Sequence, residues 1–146
     1  MKLPVALLGF ALGLATTAAA QAAEPPLPVT HIVYKLAQDG IAVRSLEAED
    51  GAYEARVEAT DGTIVKVGID PQTAELTDAY SHARARRAHG PAPKVSAAEA
   101  IQAVAATGHW DVRAIEFERG AWEVKAGDDQ GRMDKFRVDG TTGSVR

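Results

Sequence analysis

The sequence contains no cysteine, which excludes disulfide bonds and thiolate metal sites. Aromatic residues are also scarce, at 5% of the chain, so the core must be built mainly from aliphatic side chains. The sequence has no P-loop, dinucleotide-binding fingerprint, nucleophile elbow or His-Glu-x-x-His motif. These absences predict that the protein is not an enzyme. We assign no catalytic, cofactor-binding or metal-binding residues and no cofactor.

An excess of positive charge is missing as well, since 16 basic and 20 acidic side chains give a formal net charge of −4. This balance argues against a nucleic-acid partner, whose phosphates would need many Lys and Arg side chains. The one long apolar run, VALLGFALGLA, follows Lys2 and precedes the small residues of TTAAAQAAE. It is shorter than the roughly 20 residues that span a bilayer. We therefore predict a signal peptide at residues 1–22 and a periplasmic or secreted protein without a stable membrane anchor.

The rest of the sequence repeats itself at a constant offset. RGAWEV, from Arg119 to Val124, resembles DGAYEA, from Asp50 to Ala55, and Gly120 lies 69 positions after Gly51. The same offset relates Val43–Arg44 to Val112–Arg113, Glu47 to Glu116, Glu54 to Glu123, Gly62 to Gly131, Lys66 to Lys135, Asp70 to Asp139 and Thr73 to Thr142. A register kept this long without a gap indicates a tandem duplication.

Each repeat begins with a helical pattern. In the second, Ser96 and Glu99 have the spacing of a capping box, and Gly108 follows an apolar stripe at Ala100, Ile101, Val104 and Ala105. In the first, we expect Thr30 to cap a shorter helix that ends at Gly40 and has its stripe at Ile32, Val33 and Leu36.

After each helix, apolar and polar residues alternate, which predicts strands with one buried face. Asp50-Gly51 and Asp61-Gly62, with Arg119-Gly120 and Gln130-Gly131 in the matching places, predict tight turns whose residues take positive φ. The residues expected to face inward are Leu46, Ala48, Tyr53, Ala55, Val57, Val67 and Ile69, then Ile115, Phe117, Trp122, Val124, Phe136 and Val138. Those expected to face water are Glu47, Glu54, Glu58 and Lys66.

The predicted fold class is α+β: two tandem units, each a helix followed by an antiparallel three- to four-stranded β-meander. The units are placed at residues 28–80 and 95–146, with a basic, proline-containing linker at residues 81–94. A unit of about 50 residues is marginal alone. We therefore expect the two units to dock on each other or on a second copy, which leaves a homodimer open.

The stretch VRSLEAEDGAYEARVEATDGTIVKVGIDPQTAEL resembles the PepSY domain of peptidase propeptides and YpeB-like proteins, and the ending FRVDGTTGSV resembles a second copy. The first copy departs from the family pattern at Ala74, where glycine is usual. The resemblance implies an exported, non-catalytic module that binds or restrains an extracytoplasmic peptidase, or another protein or peptide partner in the cell envelope. An unpaired edge of the meander offers a route, because an extended peptide can add to it as a strand. That edge could equally pair with the other unit.

Several polar groups have competing interpretations. Asp70 and Asp139 are interpreted as structural, and Asp128 and Asp129 as a solvated turn. His82 and His89 are seven residues apart, and neither they, His31 nor His109 have the spacing of a chelate.

The alternative functions are a periplasmic metal- or haem-handling accessory and an envelope-stress structural protein. The basic linker residues Arg84, Arg86, Arg87 and Lys94 are either solvated or a patch for an anionic partner or lipid head groups.

Overall fold

The computed structural model describes residues 24–77, 86–88 and 90–146. The two helices are α1 (Val29–Gln38) and α2 (Ala97–Ala105). The strands are β1 (Ala42–Glu49), β2 (Ala52–Glu58), β3 (Thr63–Ile69), β4 (Leu76–Thr77), β5 (Arg86–Arg87), β6 (Asp111–Glu118), β7 (Ala121–Gly127) and β8 (Met133–Asp139). The predicted α+β class is confirmed. The predicted signal peptide lies outside the described residues.

All the strands belong to one antiparallel sheet. Its order is β4-β3-β2-β1-β6-β7-β8, and β5 pairs with β3 beside β4. Both helices pack on the same face, since α1 contacts β1 and β6, α2 contacts β7 and β8, and the helices contact each other. The opposite face of the sheet carries no helix from the described part of the chain. No helix there has the length and apolar character needed to cross a membrane.

The two halves of the sheet join where β1 pairs with β6. Leu46 lies opposite Ile115, with Ser45 opposite Glu116 and Glu47 opposite Ala114. Leu46 and Ile115 are equivalent in the repeat, and the flanking pairs exchange partners. A local two-fold axis therefore passes through the Leu46–Ile115 pair, and the duplicated segments dock on each other through it. Both side chains are almost completely buried, and burial of an aliphatic side chain stabilises a fold by about 1.5–3 kcal/mol.

The backbone repeats closely at the same offset. Each first hairpin turns through two residues with positive φ, 50° and 79° at Asp50-Gly51 and 52° and 78° at Arg119-Gly120, as predicted for a two-residue turn that matches strand twist. The prediction of equally tight turns at Asp61-Gly62 and Gln130-Gly131 is wrong. Among the residues of those connections, only Gly62 and Gly131 take positive φ, because each connection is longer than two residues.

The start of α1 also differs from the prediction. The helix begins at Val29 after Pro28, which provides no side-chain cap, and Thr30 lies inside the first turn. Pro28 has φ of −59° and ψ of 147°, and its side chain has no oxygen that could accept an N–H group of the first turn. The start of α2 is as predicted, since Ser96 and Glu99 form both hydrogen bonds of a capping box.

Ala48 is a third correction, because it is exposed rather than buried. It lies opposite Tyr53 beside the hairpin turn, where a methyl group is too short to reach the helices. Its repeat equivalent, Phe117, is longer and packs against Trp122 with ring centroids 5.1 Å apart. Most of the other predicted inward residues are buried. Val67, Phe117 and Phe136 are half-buried, at the margin of the core.

Candidate functional site at the outer edge of the sheet

Tyr53 and Trp122 occupy equivalent structural positions. The Tyr53 hydroxyl donates to the carbonyl oxygen of Leu27, and Trp122 Nε1 donates to the carbonyl oxygen of Val95 over 2.8 Å. Both acceptors lie just before a helix, so the aromatic side chains tie the entry of α1 to β2 and the entry of α2 to β7. Burial raises the pKa of Tyr53, opposed by the nearby Arg113 charge. Both residues act as core anchors rather than as a ligand-stacking surface.

Asp70 and Asp139 also have matching roles. Each accepts two backbone N–H groups through Oδ1, at 2.9 and 2.8 Å from residues 72 and 73 and at 2.9 and 2.8 Å from residues 141 and 142. These hydrogen bonds favour the charged carboxylate and hold the pKa of both groups below its ordinary value. Their structural interpretation is confirmed. The departure at Ala74 keeps the same turn, with φ of 59° against 76° at the equivalent Gly143.

Asp128 does not belong to a solvated turn, because the residue is only 8% exposed. Its Oδ1 accepts the N–H groups of Gln130 and Arg132, each over 2.9 Å, and its Oδ2 accepts Arg132 Nε over 2.7 Å. The Arg132 side chain is the main cause of a lowered pKa at Asp128. Asp129 is exposed, as predicted. With these partners, Asp128 holds the turn rather than sharing a proton with Asp129.

Two of the four histidines, His31 and His109, lie among the described residues. His82 and His89 lie outside the described residues, and His31 is exposed on α1. His109 packs its ring 4.6 Å from that of Phe136, and its Nε2 lies 3.4 Å from Asp134 Oδ2. The described residues contain no group of three or more His, Asp or Glu side chains placed to hold a metal ion.

Arg44 is a buried charge that the sequence pattern did not reveal. A β-bulge places it between Val43 and Ser45, without a partner residue on β2, and it is 8% exposed. Its Nε donates to Glu58 Oε2 over 2.7 Å, and Nη2 lies 2.5 Å from the same oxygen without the alignment of a hydrogen bond. The guanidinium also lies 5.3 Å from the Phe117 ring centroid. This contact joins the two halves of the molecule.

The bulge recurs at Arg113, but there the arginine is exposed. Arg113 Nη2 binds Asp111 over 2.8 Å. The residue equivalent to Glu58 is Gly127, so the second repeat has no acidic partner at that position. The presence of Glu58 on β2 is the signal that could have indicated a buried ion pair.

The helix-free face has a shallow concavity of about 260 Å³ around the local two-fold axis. Four glutamates line it, and most have basic neighbours: Lys66 Nζ is 2.7 Å from Glu54, and Arg56 Nη1 is 3.0 Å from Glu116. These are exposed or half-exposed ion pairs of opposite sign. They give this face a mixed charge rather than a focused anionic or cationic site.

The two outer edges of the sheet are filled differently. At one end, β3 pairs with β4 through Gly68 and Ile69 and with β5 through Thr63 and Ile64. The predicted basic linker therefore contributes Arg86 and Arg87 to the sheet by their backbone, whereas Arg84 lies outside the described residues. At Lys94 the backbone N–H donates to the Gly140 carbonyl over 2.8 Å.

At the other end, β8 is paired over only part of its outer edge. Arg137 exchanges two hydrogen bonds of 2.9 Å with Arg146, and Asp139 N donates to Ser144 over 2.9 Å. No strand among the described residues pairs with the outer side of Met133–Lys135. Both expectations for the strand edges thus apply, to different strands: β1 and β6 pair with each other, and the described residues leave the outer edge of β8 partly unpaired.

Comparison with known proteins gives one match. The family model described as peptidase propeptide and YPEB domain matches twice, at residues 4–80 and 76–146. No curated protein and no solved structure matches the chain. The predicted boundaries of the signal peptide, the units and the linker stay predictions. Because the matches span nearly all of the sequence, the chain belongs to the peptidase propeptide and YPEB domain family and carries two tandem copies of it.

Proposed function

We propose that this protein is an exported, non-catalytic binding module that restrains or binds a peptidase, or another protein, outside the cytoplasm. The double match to a family described by peptidase propeptides carries the proposal. The geometry supports it, because the two repeats share one sheet and Asp70, Asp128 and Asp139 are committed to turns. A prepared scaffold with an accessible strand edge suits protein recognition.

The proposal includes the organisation of the chain. Each copy would be a unit of one helix followed by a β-meander, at residues 28–80 and 95–146, after a signal peptide at residues 1–22 and with a linker at residues 81–94. The 69-residue offset between the matching ends of β1 and β6, and of β2 and β7, supports this division. The shared position of the β-bulge supports it as well.

Inhibition of a zinc metallopeptidase purified from the extracytoplasmic fraction of the same cells tests the proposal. The protein, purified as those cells produce it, is expected to slow hydrolysis of a fluorogenic peptide in proportion to its concentration and to co-elute with the peptidase. Added zinc should not restore the rate, which separates inhibition from the metal-handling alternative. Unchanged hydrolysis without a complex at tens of micromolar protein would contradict the proposal.

A further inference from the structure

The duplication provides an internal comparison for the open part of β8. In the first repeat, Ile64 on the outer edge of β3 pairs antiparallel with Arg86 of β5, and Ala88 N donates to the Gly62 carbonyl over 3.3 Å. The equivalents of Gly62 and Ile64 are Gly131 and Met133. No described residue occupies the place beside Met133 that β5 occupies beside Ile64. The second repeat therefore presents a strand-binding position that the first repeat fills with its own chain.

The backbone of β8 is oriented to accept such a strand. Arg137 and Asp139 direct their N–H groups outward, to Arg146 and Ser144. Strand residues alternate, so Met133 and Lys135 direct their N–H and C=O groups to the same outer side. Asp134 and Phe136 direct theirs inward to β7, with which they pair. An added strand would therefore gain hydrogen bonds without breaking any in the β7–β8 ladder.

The charges beside this edge favour an acidic segment. On the helix-free face, Lys135 Nζ lies 3.8 Å and Arg137 Nη1 lies 3.4 Å from the single carboxylate of Glu123. Lys125 lies directly opposite Lys135 on β7. Lys135 and Arg137 thus share one carboxylate, and the Lys135 side chain is 77% exposed. Acidic side chains on an added strand would neutralise this surplus.

On the other face of β8, an added strand first meets Asp134, whose side chain is 64% exposed and lies 3.4 Å from His109 Nε2, and then an apolar surface. Phe136 is half-buried at the edge of the core, with the His109 ring packed against it. Side chains in a strand alternate between the two faces. The segment that best fits β8 therefore alternates acidic residues, beside Lys135, with apolar residues, beside Phe136.

We propose that the outer edge of β8 at Met133–Lys135 binds an extended segment of alternating acidic and apolar residues from a partner protein, as an added antiparallel strand. This inference rests on the proposed function and specifies where that binding occurs. Charged residues on an edge strand also protect against unwanted pairing. The experiment must therefore separate a binding edge from a protected one.

The probe is a fluorescein-labelled, capped peptide of alternating glutamate and valine, measured by fluorescence polarisation. Matched peptides carry lysine in place of glutamate or N-methyl groups along one backbone edge. The glutamate peptide is expected to bind and the other two are not. Amide exchange followed by NMR should show the N–H groups of Met133 and Lys135 becoming protected at saturation. The N–H group of Ile64, whose edge is occupied by β5, should not change.

Two substitutions localise the binding. Lys135→Pro removes the outward N–H group but leaves the β7–β8 hydrogen bonds, and it should weaken binding at least about tenfold because a ladder bond and close approach are lost. Lys135→Ala, which keeps the N–H group, is its control. Lys135→Glu should weaken binding of the glutamate peptide and favour the lysine peptide, whereas Lys66→Glu, at the equivalent position of the first repeat, should not. Circular dichroism verifies the fold of each variant, and Lys135→Glu decides the question if Lys135→Pro does not fold.

Three results would overturn the inference. The first is the absence of glutamate-peptide binding. The second is binding to the folded Lys135→Pro and Lys135→Glu variants that equals binding to the parent protein. The third is a dimer in sedimentation that Lys135→Pro abolishes, because this would assign the edge to a second copy. A peptidase complex that persists in both Lys135 variants would refute the β8 site and leave the proposed function intact. Peptide addition at β8, together with neither inhibition of the peptidase nor a complex with it, would support the β8 site and contradict the proposed peptidase binding.

Discussion

At the scale of single residues, two side chains explain much of how the halves are held together. Trp122 fills the space beneath α2 and fixes the chain at Val95 by its indole N–H. Arg44 connects β1, β2 and β6 through Glu58 and Phe117. Both are buried, so replacement leaves either a cavity or an unpaired charge.

Trp122→Ala is expected to lower the free energy of unfolding by about 3–5 kcal/mol, because a fully buried aromatic side chain is lost. Trp122→Phe retains most of the volume but not the hydrogen bond to Val95, and should cost less. Urea denaturation followed by circular dichroism measures both. A loss below about 1 kcal/mol for the alanine variant would contradict the burial of Trp122.

Glu58→Gln is expected to destabilise the fold by about 2–4 kcal/mol, because Arg44 would keep its charge in a buried place without its counter-charge. The lower bound allows for the 22% exposure of the Glu58 side chain. Asp111→Asn, which removes the partner of exposed Arg113, is the matched control and should cost no more than about 1 kcal/mol. Equal effects of the two substitutions in thermal melts would refute the buried pair.

At the scale of secondary-structure elements, acidic groups secure several turns and one helix start. The pKa values of Asp70 and Asp139 are lowered by backbone N–H groups, and that of Glu99 is lowered by hydrogen bonds from Ser96. A carboxyl group with a lower pKa in the folded state binds fewer protons there than in the unfolded chain. Its contribution to stability is present above the unfolded pKa and is lost as pH falls through the folded value.

The protein should therefore lose stability as the pH falls below about 5. Asp139→Asn should reduce the stability at pH 7 and also the slope of stability against pH in this acidic range, and Asp70→Asn should have a similar effect at the equivalent turn. Urea midpoints measured between about pH 3 and about pH 7 provide the comparison. Asp129→Asn, at an exposed neighbour of a turn, is the control. An Asp139→Asn curve parallel to that of the parent protein would contradict the role of this carboxylate.

At the scale of the whole molecule, the two copies share one sheet and one core. The β1–β6 ladder is continuous with both meanders, and α1 contacts α2 above it. Neither copy could unfold without exposing Leu46 or Ile115 at the junction. The chain is therefore expected to behave as a single cooperative body rather than as two domains on a linker.

Equilibrium unfolding should consequently show one transition. Tryptophan fluorescence, from Trp110 and Trp122, reports the second repeat and circular dichroism reports the whole sheet, and the two curves should coincide. Leu46→Ala lies in the first repeat but should shift the fluorescence transition by the same amount as the circular dichroism transition. Separate transitions, or a Leu46→Ala effect absent from tryptophan fluorescence, would show that the copies unfold independently.

Much of the local structure could be predicted from the sequence. The 69-residue offset, the Ser96–Glu99 capping box and the Asp50-Gly51 turn involve neighbouring residues, so their physical chemistry is visible in the order of amino acids. Tyr53 and Trp122 could be identified as anchors for the same reason, since alternation places them on the inner face. The loop lengths at Asp61-Gly62 and the helix start at Pro28 were harder to predict, because several local geometries suit those residues.

The sequence by itself determined that two copies of one α+β pattern follow each other and which strand faces are apolar. Only the tertiary structure decided that Leu46 and Ile115 join the copies into a single sheet, that Arg44 is buried while Arg113 is exposed, and that the described residues leave part of the outer edge of β8 unpaired. These outcomes depend on contacts between residues far apart in the chain. Alternation fixes the face on which a side chain lies, but the partner of a strand depends on which backbone groups the rest of the fold leaves unpaired.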